Sequence, residues 1–169
     1  MHAMIDIETV GLGVTAPLFE IGVVLFDPKE CKPLEELSLQ VDLMDVMWRT
    51  GFCPQPETLD WWRKQEHDPT TVDAYERYKL VPALKELTEF LTKFKVEFVW
   101  ANSPSFDLVI LELHYMAVGL KEPWTHKQEL DFRTALWLYG DVKKPANELP
   151  HCALSDAKHQ VLILSEIMR

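Results

Sequence analysis

The strongest constraint on how this chain can fold is the order of its periodic segments. Three strand-like runs come first, and helical runs interleaved with one more strand fill the rest. Met4–Glu8 (MIDIE) alternates apolar and acidic residues, the period of a strand with one polar face. Leu18–Phe26 (LFEIGVVLF) is a second β-rich run, and Glu35–Val41 suits a third. Asp27-Pro28-Lys29 reads as a turn between the second and third, so these strands are expected to form an antiparallel meander. Pro56 opens a predicted helix through Asp60-Trp61-Trp62, and Asp68-Pro69 suits the cap and first turn of another. Pro82–Phe94 carries Leu84, Leu87, Phe90, Leu91 and Phe94 at helical spacing. Val96–Ala101 predicts a fourth strand, followed by a helix from about Phe106 to Val118 that Gly119 ends. Predicted helices near Phe132–Tyr139 and Ala153–Met168 flank a loop over Asp141–Pro150. There is no internal repeat, low-complexity tract or second-domain linker, and 169 residues can bury a core as one domain. A meander followed by βα units predicts a mixed sheet flanked by helices, an α/β layer architecture.

Composition narrows the function classes. No apolar run approaches the length of a bilayer span, and Met1–Met4 lacks the basic and apolar regions of a secretory leader, so no membrane role is expected. The cysteines Cys31, Cys53 and Cys152 are odd in number and form no CxxC pair, which argues against a disulfide framework or a thiolate zinc site. A reducing, cytoplasmic setting is the expectation. The formal net charge is −10, opposite in sign to that of tight nonspecific nucleic-acid binders. Any enzyme of this charge acting on a polyanion needs metal ions or a local basic patch, and favours distributive action at strand ends.

The chemistry begins at Asp6 and Glu8. Residues two apart on a strand share a face, so both carboxylates point one way while Ile5 and Ile7 point into the core. Two carboxylates at about 4 Å repel by roughly 1–4 kcal/mol, a cost that a shared cation removes. Oxygen ligands of this kind suit Mg²⁺ or Mn²⁺. A solvated pair of acids on an edge strand fits the same two residues. Asp107 follows the predicted fourth strand at the start of a helix, where ligand sites of α/β sheets lie, although acids are common in first turns. Phe106 beside it would anchor that helix on the sheet. His151 precedes Asp156 by five residues at the head of the last helix, with Ala153 and Ala157 leaving room for close packing on the sheet. An imidazole there can accept a proton near neutral pH, and Asp156 can ligate a metal. A surface histidine and a helix-capping aspartate are the plainer readings. Each element has a bland explanation; the three in this order do not.

Asp-Ile-Glu-Thr (6–9), Asn-x-x-x-Phe-Asp (102–107) and His-x-Ala-x-x-Asp-Ala (151–157) resemble the three exonuclease motifs of the DEDD superfamily, histidine subclass. That group includes RNase T, oligoribonuclease and the proofreading exonuclease of bacterial DNA polymerase. Over nearly the whole chain, MIDIETVG, Glu57–Gln65, VWANSPSFDLVILE, GLKEPW and HCALSDAKHQ are similar to the small Rv2179c-like 3′–5′ exoribonuclease family, a kind of domain also carried by phage and prophage exonucleases.

The resemblance implies an RNase H-like domain over residues 1–169 that hydrolyses phosphodiester bonds from 3′ ends of single-stranded RNA or DNA, releasing nucleoside 5′-monophosphates. It implies Asp6, Glu8, Asp107 and Asp156 as metal ligands and His151 as general base. Two divalent ions, Mg²⁺ or Mn²⁺, roughly 3.5–4 Å apart, would clamp the scissile phosphate. Asp6 would bridge them, with Glu8 and Asp156 on the ion that activates water. Thr9, Gly11, Asn102 and Phe106 are secondary candidates for holding substrate. RNase T and oligoribonuclease work as dimers, which leaves a homodimer open for this chain. Trp61 and Trp62 are adjacent on a predicted helix and so belong to different faces, one in the core and the other a candidate for stacking a base. His159 reads as a surface residue, and His67, His114 and His126 have no partner at ligand spacing. A noncatalytic binding module and a phosphodiesterase confined to very short oligonucleotides remain as alternatives, separable by metal-dependent turnover and by substrate length.

Overall fold

The computed structural model describes residues 1–30, 32–65, 77–139, 145–147 and 149–167. Strands β1 (His2–Thr9), β2 (Leu18–Phe26) and β3 (Pro33–Gln40) form the expected antiparallel meander. Lys29 N donates to Asp27 Oδ1 at 2.7 Å, an Asx turn that reverses the chain between β2 and β3. On the other side of β1 lie β4 (Phe98–Ala101) and β5 (Glu129–Asp131), both parallel, so the sheet order is β3-β2-β1-β4-β5. Pro33 opens an edge strand, where a missing N–H costs no ladder bond.

The helices are α1 (Leu43–Thr50), α2 (Pro56–Trp62), α3 (Leu80–Lys93), α4 (Asp107–Ala117), α5 (Phe132–Tyr139) and α6 (Ala153–Ile167). The start of the fourth strand differs from expectation, and α1 and β5 are elements it did not include, each for a local reason. The fourth strand starts at Phe98 because Val96 N is spent on Leu91 O at 3.1 Å, closing the end of α3. Helix α1 is short, yet its ends are marked: Asp42 accepts from Met44 N and Asp45 N, and Gly51 follows at φ 72°. Strand β5 has only three residues, too few for a period to register. Asp68-Pro69 and His67 fall outside the described residues.

Alternation along β1 and β2 sends side chains to two different cores. Ala3, Ile5 and Ile7 join Ile21, Val23 and Leu25 in a large cluster with Leu84, Leu87, Leu108 and Leu111 of α3 and α4. Met4, Val24 and Phe26 face the other way, onto Phe132 of α5 and Ala157, Val161 and Leu164 of α6. The sheet is thus the middle layer of three. Asp6 pairs with Gly22 and Glu8 with Glu20, so the acids share the α6 face. Gly22 is where α6 touches down: a Cβ there would lie 2.2 Å from Ala153 C and Leu154 N.

His114 is a core residue. Its Nδ1 donates to Ile110 O at 2.7 Å, its Nε2 accepts from Leu18 N at 3.4 Å, and burial lowers its pKa to about 4. Among the described residues no helix is long and apolar enough to cross a membrane.

Candidate active site

The carboxyl end of β1, the head of α4 and the first turns of α6 meet at one place. Strand β1 delivers Asp6 and Glu8 on its α6 face, and α6 brings Asp156 with His151 just ahead of it. One ligand-capable atom from each of Glu8, His151 and Asp156 lies within 4.8 Å of the others. Asp107, buried at the start of α4, accepts from Ile7 N at 3.4 Å, which ties that helix to the strand between the two acids. The five motif residues therefore converge although they span most of the chain.

Their electrostatics are unfavourable in the protein alone. Burial, then the charges of Asp107, Glu8 and Asp156, hold Asp6 well above the ordinary carboxylate range. Burial, with Asp156, Glu20 and Asp107 nearby, pushes Glu8 up to about 8. Burial pushes Asp107 up to about 7 against the stabilising bond from Ile7 N. Asp107 Oδ2 is buried with no hydrogen-bond partner among the described residues. A set of crowded carboxylate oxygens, one of them unpartnered, fits a hard divalent cation, and no cysteine belongs to the cluster.

His151 has φ 63°, a left-handed conformation that few residues other than glycine adopt. Its backbone N–H donates to Asp156 Oδ2 at 3.0 Å, and its ring meets Trp61 edge-on, centroids 4.7 Å apart at 88°. The backbone of His151 is thus held by the helix head, and its ring packs against α2.

Beside the acids lies a cleft of about 460 Å³. Glu8, Thr9, Gly11 and Leu12 form one wall, and Glu57, Trp61 and Trp62 of α2 form the other, with Phe106 and His151 closing it. Thr9 turns its hydroxyl inward onto Gly11 O at 2.7 Å. The two tryptophans divide as their adjacency predicts, Trp62 buried and Trp61 exposed. Trp62 is buried and donates from Nε1 to Thr9 O at 2.9 Å, yet it lines the same cleft as half-exposed Trp61, the rings packing edge-on at 4.8 Å. Asn102 is not on the cleft wall; its carbonyl accepts from Arg133 Nη2 at 3.4 Å. His159 is not a free surface side chain, since its Nε2 donates to Pro145 O at 2.9 Å and tethers the preceding loop to α6.

Three site residues escape a reading of the sequence. Glu20 is buried opposite Glu8 and accepts from Cys152 Sγ at 3.5 Å. Its signal is an acid inside the apolar run of β2. Gln160, one turn beyond Asp156, donates from Nε2 to Asp6 Oδ1 at 2.8 Å; its i+4 spacing from Asp156 was the available clue. Asn147 Nδ2 donates to Asp156 Oδ1, while its Oδ1 accepts from Ser155 Oγ at 3.0 Å. A loop asparagine carries no periodic signal.

Solved structures similar to this chain are nucleases. The nuclease domain of 3′hExo, a DEDDh family member bound to rAMP, superposes with a TM-score of 0.65 at 14% identity, covering 96% of this chain and 88% of that one. E. coli exonuclease I with single-stranded DNA, in its zinc-bound form, gives 0.71 at 12% identity, covering 99% of this chain but 40% of that longer protein. Exonuclease X with 5′-overhanging duplex DNA gives 0.62 at 20% identity, covering 99% and 91%. At these identities the likeness establishes the RNase H-like exonuclease fold. No curated protein matches the sequence. The family model for the 3′–5′ exoribonuclease Rv2179c-like domain matches residues 1–168, and the chain belongs to that family.

Proposed function

We propose that residues 1–169 act as one exonuclease domain that hydrolyses the terminal phosphodiester bond at 3′ ends of single-stranded nucleic acid and releases nucleoside 5′-monophosphates. The observation that carries this reading is the convergence of Glu8, His151 and Asp156 within 4.8 Å, beside buried Asp6 and Asp107. Asp6, Glu8, Asp107 and Asp156 would hold divalent cations, two of Mg²⁺ or Mn²⁺, which supply Lewis-acid stabilisation of charge on the phosphate and on the oxygens that attack and leave. His151 takes the proton of the attacking water, with its ring set by Trp61 and its backbone by Asp156. The cleft between β1 and α2 receives the terminal nucleotide, and its aromatic wall offers stacking worth roughly 1–3 kcal/mol per base. That rAMP occupies the similar 3′hExo domain and single-stranded DNA occupies exonuclease I supports this class of substrate. The reading keeps the cytoplasmic setting expected from the sequence.

The test is a 5′-labelled panel of single-stranded RNA, single-stranded DNA and duplex, incubated with Mg²⁺ or Mn²⁺. A ladder shortening from the 3′ end, with 5′-monophosphates as product and no turnover in EDTA, is expected. Absence of metal-dependent shortening on every substrate would end this reading.

The raised carboxylate pKa values also set a pH signature. Glu8 ionises near 4.5 in its ordinary state and near about 8 in the fold, so across that window the folded protein holds the extra proton. Its contribution to stability is therefore full below 4.5 and is lost as pH climbs through about 8. Melting temperature in EDTA should fall over that interval, and the increase produced by Mg²⁺ or Mn²⁺ should grow with pH. A cation-induced shift that shrinks as pH rises contradicts the assignment of these acids as ligands.

A further inference from the structure

Gln160 is 5% exposed, inside the contact between α6 and β1. Among the described residues, its Nε2 makes the one hydrogen bond to the Asp6 carboxylate, at 2.8 Å. Its Oε1 is buried, and no donor among the described residues reaches it. A side chain retained only to fill space would not carry an unsatisfied buried oxygen, because a leucine or methionine fills similar volume without one. The orientation of the amide follows from its neighbour: turned over, it would set Oε1 against the carboxylate and leave Nε2 unpartnered.

Asp6 needs such a partner. Asp107, Glu8 and Asp156 surround it with like charge, which favours any rotation that moves its oxygens away from theirs. A lysine or arginine at position 160 would hold the carboxylate but would neutralise it and compete with a cation. A neutral amide fixes one oxygen, leaves the charge in place and keeps the second oxygen available. Because Gln160 lies four residues after Asp156, one face of α6 presents an acid of the site and the donor that steadies another.

We propose that Gln160 is a positioning residue that holds the Asp6 carboxylate in the rotamer that binds divalent cation, an inference that rests on the metal-dependent reading of this site. Hydrogen-bond partners behind metal ligands commonly set affinity by about 10- to 100-fold. The experiment compares the full chain with Gln160→Leu and Gln160→Met, using Mn²⁺ alone as probe. Calorimetric Mn²⁺ affinity, melting temperature in EDTA, and kcat and KM on a single-stranded oligonucleotide are measured.

Both variants should bind Mn²⁺ about 10- to 100-fold more weakly, with kcat at subsaturating metal reduced in parallel and KM for the oligonucleotide unchanged. Their melting temperature in EDTA should stay close to that of the parent, because the substitution removes an unpaired buried oxygen and also takes the one donor from the buried Asp6 carboxylate. Mn²⁺ affinity within twofold of the parent in both variants overturns the proposal. If the parent chain itself shows no Mn²⁺ binding, the metal-dependent reading of the site falls, and this inference with it.

Discussion

Asp6→Asn should lower the rate of 3′-end trimming by at least about 10³-fold, equivalent to roughly 4 kcal/mol of transition-state stabilisation, while making the metal-free protein more stable. The two effects share one cause. Asp6 sits under burial and the charges of three other carboxylates, and holding it ionised opposes folding until a cation compensates. Asparagine keeps the shape and its Oδ1 can still accept from Gln160 Nε2, so packing is preserved while the charge is lost. In EDTA near pH 8 the variant should melt higher, since each 1 kcal/mol relieved is worth about 2–4 °C for a chain of this size. Trimming of a 5′-labelled oligonucleotide and a thermal melt measure both. Parent-like trimming would place the chemistry elsewhere in the molecule, and a lower melt in EDTA would contradict the electrostatic account.

Gly22→Ala should damage fold and activity together. The added Cβ would stand 2.2 Å from Ala153 C and Leu154 N and 2.5 Å from Ala153 O, all backbone atoms that cannot swing aside. Helix α6 would have to lift from β2 just where it begins. Overpacking of this kind costs about 1–3 kcal/mol or more, a drop of roughly 2–12 °C in melting temperature. The functional loss should be larger than stability alone implies, because α6 carries Asp156 and Gln160 and begins two residues after His151. A displacement of about 1 Å at such groups can cost roughly 10²-fold in rate. Activity measured well below the variant's melting point, together with its Mn²⁺ affinity, separates misplacement from unfolding. Parent-like values in both would mean that the helix does not rest on this glycine.

These expectations draw unequally on local and long-range information. The meander, α5 and α6 follow from strand and helix periods, from the uninterrupted β-rich run of β2 and from the turn at Asp27. Asp6, Glu8, Asp107, His151 and Asp156 stand out because each sits at a strand or helix end in a recognisable spacing. Helix α1 is not expected from its period although Asp42 and Gly51 mark its ends, because it runs for only eight residues and turns the apolar Met44 and Trp48 to solvent. The partners of the acids were beyond local reading: Glu20 meets Glu8 only through the β1–β2 register, and Gln160 meets Asp6 across 154 residues.

What the amino-acid order determined by itself was the succession of strands and helices and the identity of the charged groups at their ends, since periodicity records which face of each segment avoids water. Which faces meet was decided only in three dimensions. Sheet register, the contact of α6 over Gly22 and the meeting of α2 with the loop before α6 turn distant side chains into neighbours. Pairings of that kind depend on how segments pack through space, and no period within a single segment encodes them.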